Sequence, residues 1–128
     1  LLVPEALQRG FSGHRDEIHR TGQWLARNTR ADDYLFVEDC RINFYGGRYG
    51  ATTSIKEMGE HITHARHRGL DRCLFVLRDS EGKNHVLRHL RYRLDQRGDL
   101  AAETLASFDG PSGKLSVLRI RPRTPQTP

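Results

Sequence analysis

The sequence predicts an α/β protein with a small layered, Rossmann-like fold: a mixed sheet, about three flanking helices and a C-terminal antiparallel hairpin. Three observations predict it. Stretches with apolar residues at helical spacing alternate with short β-prone runs, the pattern of helices layered on a sheet. Residues 72–77, "RCLFVL", form a continuous apolar run, as expected of a central strand covered on both faces. Residues 103–108 and 115–120, "ETLASF" and "LSVLRI", flank the turn-rich "DGPSG" as two hairpin strands do.

Each element follows in order. Residues 1–11 are expected to be a lead-in from a preceding segment, residues 12–122 a single α/β domain, and residues 123–128 a disordered tail. One domain is expected because a chain of 128 residues can bury roughly two-thirds of its unfolded surface around one core. A first helix is predicted over 12–28, with Ile18 and Leu25 on one face, Trp24 beside them, and Asp16 and Glu17 near its positive end. "YLFVE", 34–38, and "INFY", 42–45, then read as two strands joined by a tight "DCR" link. Ser54 followed by Glu57 is a capping box for a second helix, whose stripe is Met58, Ile62 and Ala65 and whose left-handed stop is Gly69. After the central strand, Ser80 is expected to cap a third helix carrying Leu87, Leu90 and Leu94 and ending at Gly98.

The charge balance narrows the partners less than it first suggests. The net charge is +5, and 18 of the 21 basic residues are arginine. Nucleic acid, anionic lipid and phosphate-bearing substrates answer to the same Coulomb attraction, so the sign alone does not choose among them. No run approaches the ~20 apolar residues needed to cross a bilayer. Cys40 and Cys73 are too few for a disulfide framework, and the strand assignment places them about 15 Å apart, beyond the ~7 Å that a bridge allows. Free thiols are expected.

"RINFYGGRYG", residues 41–50, is the leading candidate site. Consecutive glycines allow successive N–H groups to face one concavity, and Arg48 adds a guanidinium able to fork onto phosphate or carboxylate, so Tyr45, Gly46, Gly47 and Arg48 read as an anion-binding turn. The alternative is a strand end that turns on glycine, with Arg48 solvated or paired to Glu38 or Asp39. Neither nucleotide-loop signature is present. His61, His64 and His67 read as a solvated helix face, and His85 with His89 sits on a helix rich in arginine, so no metal site and no cofactor is assigned. That basic helix lies between two strands, which argues for packing on the sheet through its leucines and against a nucleic-acid recognition helix. "DSEG" and "PSGK" lack the strand–Ser–helix setting of a nucleophile elbow, and the adjacent pairs Asp32–Asp33 and Glu38–Asp39 need not converge on one substrate. No catalytic residue is assigned.

Four stretches taken together, "GQWLARNTRADDYLFVED", "INFYGGR", "GLDRCLFVL" and "LASFDGPSGKLSVLRIRP", resemble the C-terminal soluble domain of polytopic membrane glycosyltransferases of the dolichyl-phosphate-mannose protein mannosyltransferase and aminoarabinose transferase superfamily. Trp24, Leu25, Asn28, Thr29 and Asp33 answer one motif of that family, and Tyr45, Gly46, Gly47 and Arg48 another. Arg30 stands where proline is usual, and Gly46 where serine or threonine is usual. The resemblance implies a parent enzyme that moves a sugar from a polyprenyl-phosphate donor, with its catalytic acid in a loop of the membrane portion. This chain would then be a non-catalytic accessory domain on the extracytoplasmic face of the cytoplasmic membrane, orienting acceptor or substrate. Its implied partners are the membrane-embedded part of the same polypeptide and a sugar or lipid phosphate, with no nucleic acid. Leu1 in place of methionine fits such an excised domain. Two other readings stay open: a stand-alone small Rossmann-like ligand-binding protein or enzyme, and a basic nucleic-acid-binding module.

Overall fold

The computed structural model describes residues 16–79, 85–111 and 113–123. In chain order the elements are α1 (Asp16–Asn28), β1 (Tyr34–Val37), α2 (Arg41–Gly46), β2 (Gly50–Thr52), α3 (Met58–Arg68), β3 (Cys73–Asp79), α4 (Val86–Arg97), β4 (Leu100–Gly110) and β5 (Gly113–Pro122). A 3-10 turn, Leu70–Arg72, leads into β3. The strands form one open five-stranded sheet in the order β2-β1-β3-β5-β4. β2, β1 and β3 are mutually parallel, whereas β5 runs antiparallel to both of its neighbours.

The period of two along the strands sorts the core into two halves. Phe36, Cys73, Phe75, Leu77, Leu118 and Ile120 face α3 and α4, which return Met58, Ile62, Ala65, Leu87, Leu90 and Leu94. Leu35, Val37, Leu74, Val76, Leu115 and Val117 face α1 and α2, which return Ile18, Leu25 and Ile42. The result is three layers, helices on both faces of a mixed sheet, with the run "CLFVL" buried at its centre as predicted. Register supports the sorting: Phe36 lies beside Phe75, and their rings stack with centroids 4.7 Å apart. The C-terminal hairpin also forms as expected, with a bulge between Thr104 and Ala106. Cys40 is exposed and Cys73 buried, and both are free thiols. Among the described residues no helix is long and apolar enough to cross a membrane.

Three expectations are corrected. "INFY" is not a strand: residues 41–46 are helical, with Ile42 buried and Phe44 exposed. A tight link would have made it antiparallel to β1, but the next strand in the sheet is parallel and requires a crossover of about a dozen residues. The true strand is the three-residue "GAT" of β2, too short and too glycine-marked to show a period. The Ser54–Glu57 capping box does not form either. Glu57 donates its backbone N–H to Ser54 O at 3.2 Å in a turn, and the helix starts one residue later with no side-chain cap. Gly69 ends α3 at positive φ as expected, but φ 114° with ψ 119° lies outside the left-handed helical region. Ser80 and residues 12–15 lie outside the described residues.

Candidate functional site

The stretch 41–50 is a single connection between parallel neighbours. Asp39 opens it: the backbone N–H of Arg41 donates to Asp39 Oδ1 at 3.0 Å, and the Arg41 guanidinium folds back on the same carboxylate. That guanidinium holds the Asp39 carboxyl below its ordinary range. Six residues of helix follow, and Gly47 then takes the left-handed conformation, φ 64° and ψ 37°. Its N–H donates to Phe44 O at 3.2 Å, while Arg48 N–H donates to Asn43 O at 3.0 Å. These are the two bonds of a Schellman motif, so the second glycine ends a helix instead of opening a concavity of amides.

Arg48 completes that ending. Its Nε donates to Thr29 Oγ1 at 3.1 Å, its Nη1 to Gly46 O and Gly47 O, each at 3.2 Å, and its Nη2 to Thr29 O at 3.0 Å. Longer bonds from Nη2 reach Leu25 O and Ala26 O, each at 3.4 Å. One guanidinium therefore closes the carbonyl ends of α1 and α2 together, where both helix dipoles favour a cation. Carbonyl oxygens surround it, the opposite of the surroundings an anion prefers. The two sequence motifs, one ending near Asp33 and one at Arg48, meet in space through this clamp. Thr29 serves both partners, accepting from Arg48 and donating its hydroxyl to Leu25 O. Tyr45 lies against His19, with ring centroids 3.9 Å apart, and its backbone crosses α1 at Gly22.

The large apolar side chains that the same connection shows to solvent are aromatic. Phe44 is 82% exposed and Tyr49 is 83% exposed, one before and one after the clamped turn that leads into the edge strand β2.

The opposite end of the sheet holds a second polar constellation. Strand order reverses between β1 and β3, and in open α/β sheets ligands settle at such a point, beyond the carboxyl ends of the strands. Glu38 sits there, its Oε1 accepting the Arg78 backbone N–H at 2.6 Å, and burial pushes its carboxyl above the usual range against the pull of Arg78. The Arg78 guanidinium turns the other way, toward Glu17 Oε1 at 3.4 Å and Gly113 O at 3.3 Å. Glu17 is 1% exposed, and its Oε2, which has no hydrogen-bond partner among the described residues, occupies the place a Cβ on Gly110 would need. This group joins α1, β1, β3 and the hairpin, and its guanidinium donors go to protein oxygens.

The histidines divide differently from their sequence reading. His61 and His64 are half-buried against Phe36 and Tyr34, and only His67 is exposed. His61 Nδ1 pairs with Thr53 Oγ1 at 2.8 Å. Among the described residues no group of three His, Cys, Asp or Glu side chains is placed to hold a metal ion. Beside α4 lie two adjoining hollows of about 310 and 280 Å³ that share His89 and Tyr92, the first bordered by Ile55 ahead of α3 and the second by Gly59 and Ile62 of α3. Arg88, Arg93 and Arg97 line them. Sequence reasoning saw the arginines of α4 but not the groove, because the groove depends on how α3 lies beside α4.

Comparison of the chain with protein-family models, with curated proteins and with solved structures finds no match.

Proposed function

We propose that the chain is a non-catalytic accessory module of a membrane glycosyltransferase, on the extracytoplasmic face, docking through its aromatic edge onto the membrane-embedded part of the same polypeptide. The observation that carries this reading is the display of Phe44 and Tyr49 in water on either side of a turn locked by Arg48. Two large aromatic rings held outward on a rigid support form a surface that gains by being covered. Full burial of each contributes ~1.5–3 kcal/mol. The arginine thus acts behind the docking surface: it fixes the geometry while the rings make the contact.

The test is made in the full-length polypeptide. Phe44→Ser with Tyr49→Ser removes about 3 kcal/mol or more of docking energy, on the order of 100-fold in occupancy, and sugar transfer from a polyprenyl-phosphate donor should fall at least tenfold. The unfolding midpoint of the 128-residue chain should not move, because neither ring is in the core. Undiminished transfer by the double variant, or a full-length product without apolar spans, would overturn the reading.

A further inference from the structure

We propose that the groove between α3 and α4 is a phosphate-binding site, taking a mono- or diphosphate ester whose ring lies against Tyr92. The proposal is independent of the aromatic edge, which belongs to the other helical layer.

The carrying observation is how the arginines are partnered. Arg41, Arg66, Arg72, Arg78, Arg121 and Arg123 each pair with a carboxylate. Arg88, Arg93 and Arg97 line the groove, and no carboxylate stands among its described lining residues. Glu57, just ahead of α3, lies beside His61 on the flank that faces Phe36.

Arg93 is the most prepared of the three. Its Nε donates to His89 Nε2 at 2.8 Å, which fixes the plane of the guanidinium, and its terminal nitrogens have no hydrogen-bond acceptor among the described residues. The fork rests over Gly59, where a Cβ would come within 2.7 Å of Nη1, so the bare backbone of α3 makes the seat. His89 must be neutral to accept that bond, and burial together with Arg93 holds its imidazole below the ordinary value. A guanidinium anchored at one nitrogen and open at two matches the bidentate geometry of a phosphate. Tyr92 is 60% exposed, and its ring borders both hollows, offering a flat face to a sugar or base attached to that phosphate.

The confinement of charge favours a small ester over a nucleic acid. On the far flank of α4, Asp95 pairs with Arg123, and at its C-terminal end Asp99 pairs with Arg66, so the positive potential does not continue as the stripe that a polyanion follows. Arg91 lies on that far flank, beside Asp95 and Arg123, and is the internal control.

Sodium pyrophosphate titrated calorimetrically into the 128-residue chain at low salt should bind saturably, with a Kd below ~1 mM. Arg88→Gln and Arg93→Gln should each weaken it about tenfold, and Arg91→Gln less than about twofold, all three keeping the wild-type unfolding midpoint. Gly59→Ala, which moves the guanidinium without changing charge, should weaken it as Arg93→Gln does. Tyr92→Ala should leave pyrophosphate unaffected and weaken glucose 1-phosphate. Vesicles carrying a polyprenyl phosphate distinguish the source of the ester: capture that depends on Arg93 assigns a lipid-linked phosphate, and binding of the soluble esters alone assigns a free one. Absence of saturable pyrophosphate binding, an equal loss in Arg91→Gln, or tighter binding of a single-stranded oligonucleotide that all three arginine variants weaken alike would overturn the proposal.

Discussion

Arg48 matters to this protein as a fastener. Thr29 Oγ1 and carbonyls at the ends of two helices accept its donors, and those carbonyls have no later turn of helix to satisfy them. Arg48→Ala is expected to destabilise the fold by ~1.5–3 kcal/mol, lowering the thermal midpoint by roughly 5–10 °C. Arg48→Lys should recover only part of that loss, since an ammonium cannot fork across both helix ends. A wild-type melting curve for Arg48→Ala would remove the clamp from the account. His61 supplies a pH dependence at the same scale. Burial lowers its imidazole from the ordinary 6.5, so the unfolded chain takes up the proton more readily than the folded one. Stability from this group is therefore full above about pH 6.5 and is lost as pH falls through 6.5 toward the lowered folded value. Glu38, raised by burial from 4.5, acts with the opposite sign and favours the fold less as pH rises above 4.5. The difference between wild type and His61→Gln isolates the imidazole: urea midpoints compared at pH 7.5 and pH 5.5 should show a smaller drop in the variant, and an equal drop would show that His61 is not responsible.

At the scale of elements, α2 and β2 mark the limit of what the sequence disclosed. "INFY" has apolar residues at alternating positions and β-prone chemistry, and six residues are too few to distinguish a period of 2 from one of 3.6. What decides it is non-local. β2 must pair parallel to β1, with Leu35 opposite Gly50, and α1 offers a groove at Gly22 into which α2 fits. A Cβ on Gly22 would stand 2.6 Å from Tyr45 Cβ. Gly22→Ala should therefore destabilise by ~1–3 kcal/mol despite the better helix propensity of alanine, and chemical denaturation would reveal a gain in stability if the two helices were not in contact there. By contrast, the buried stripes of α3 and α4 and the centre of β3 were legible, because eleven or twelve residues of helix and a five-residue apolar run outweigh local ambiguity. The histidines of α3 misled for a related reason. Their spacing suggested a wet face, but β1 extends beneath that flank and covers two of the three with aromatic rings.

At the scale of the whole molecule, the two helical layers carry different surfaces. The α1–α2 layer ends in exposed aromatics, and the α3–α4 layer holds a groove edged with arginine. The candidate turn at 45–48 was visible in the sequence as an unusual string of residues, but its task was not, since the partner that defines it, Thr29, lies nineteen positions earlier. The sheet itself carries a further consequence. β5 is an interior strand, lying between β3 and β4, although it follows both in the chain. During synthesis the ribosome releases three parallel strands and then a fourth that has no neighbour to join, and the sheet stays split until residues 113–122 emerge. The nascent polypeptide therefore offers the bare flank of β3 to any passing extended segment, and a chaperone that shields it would act in that interval.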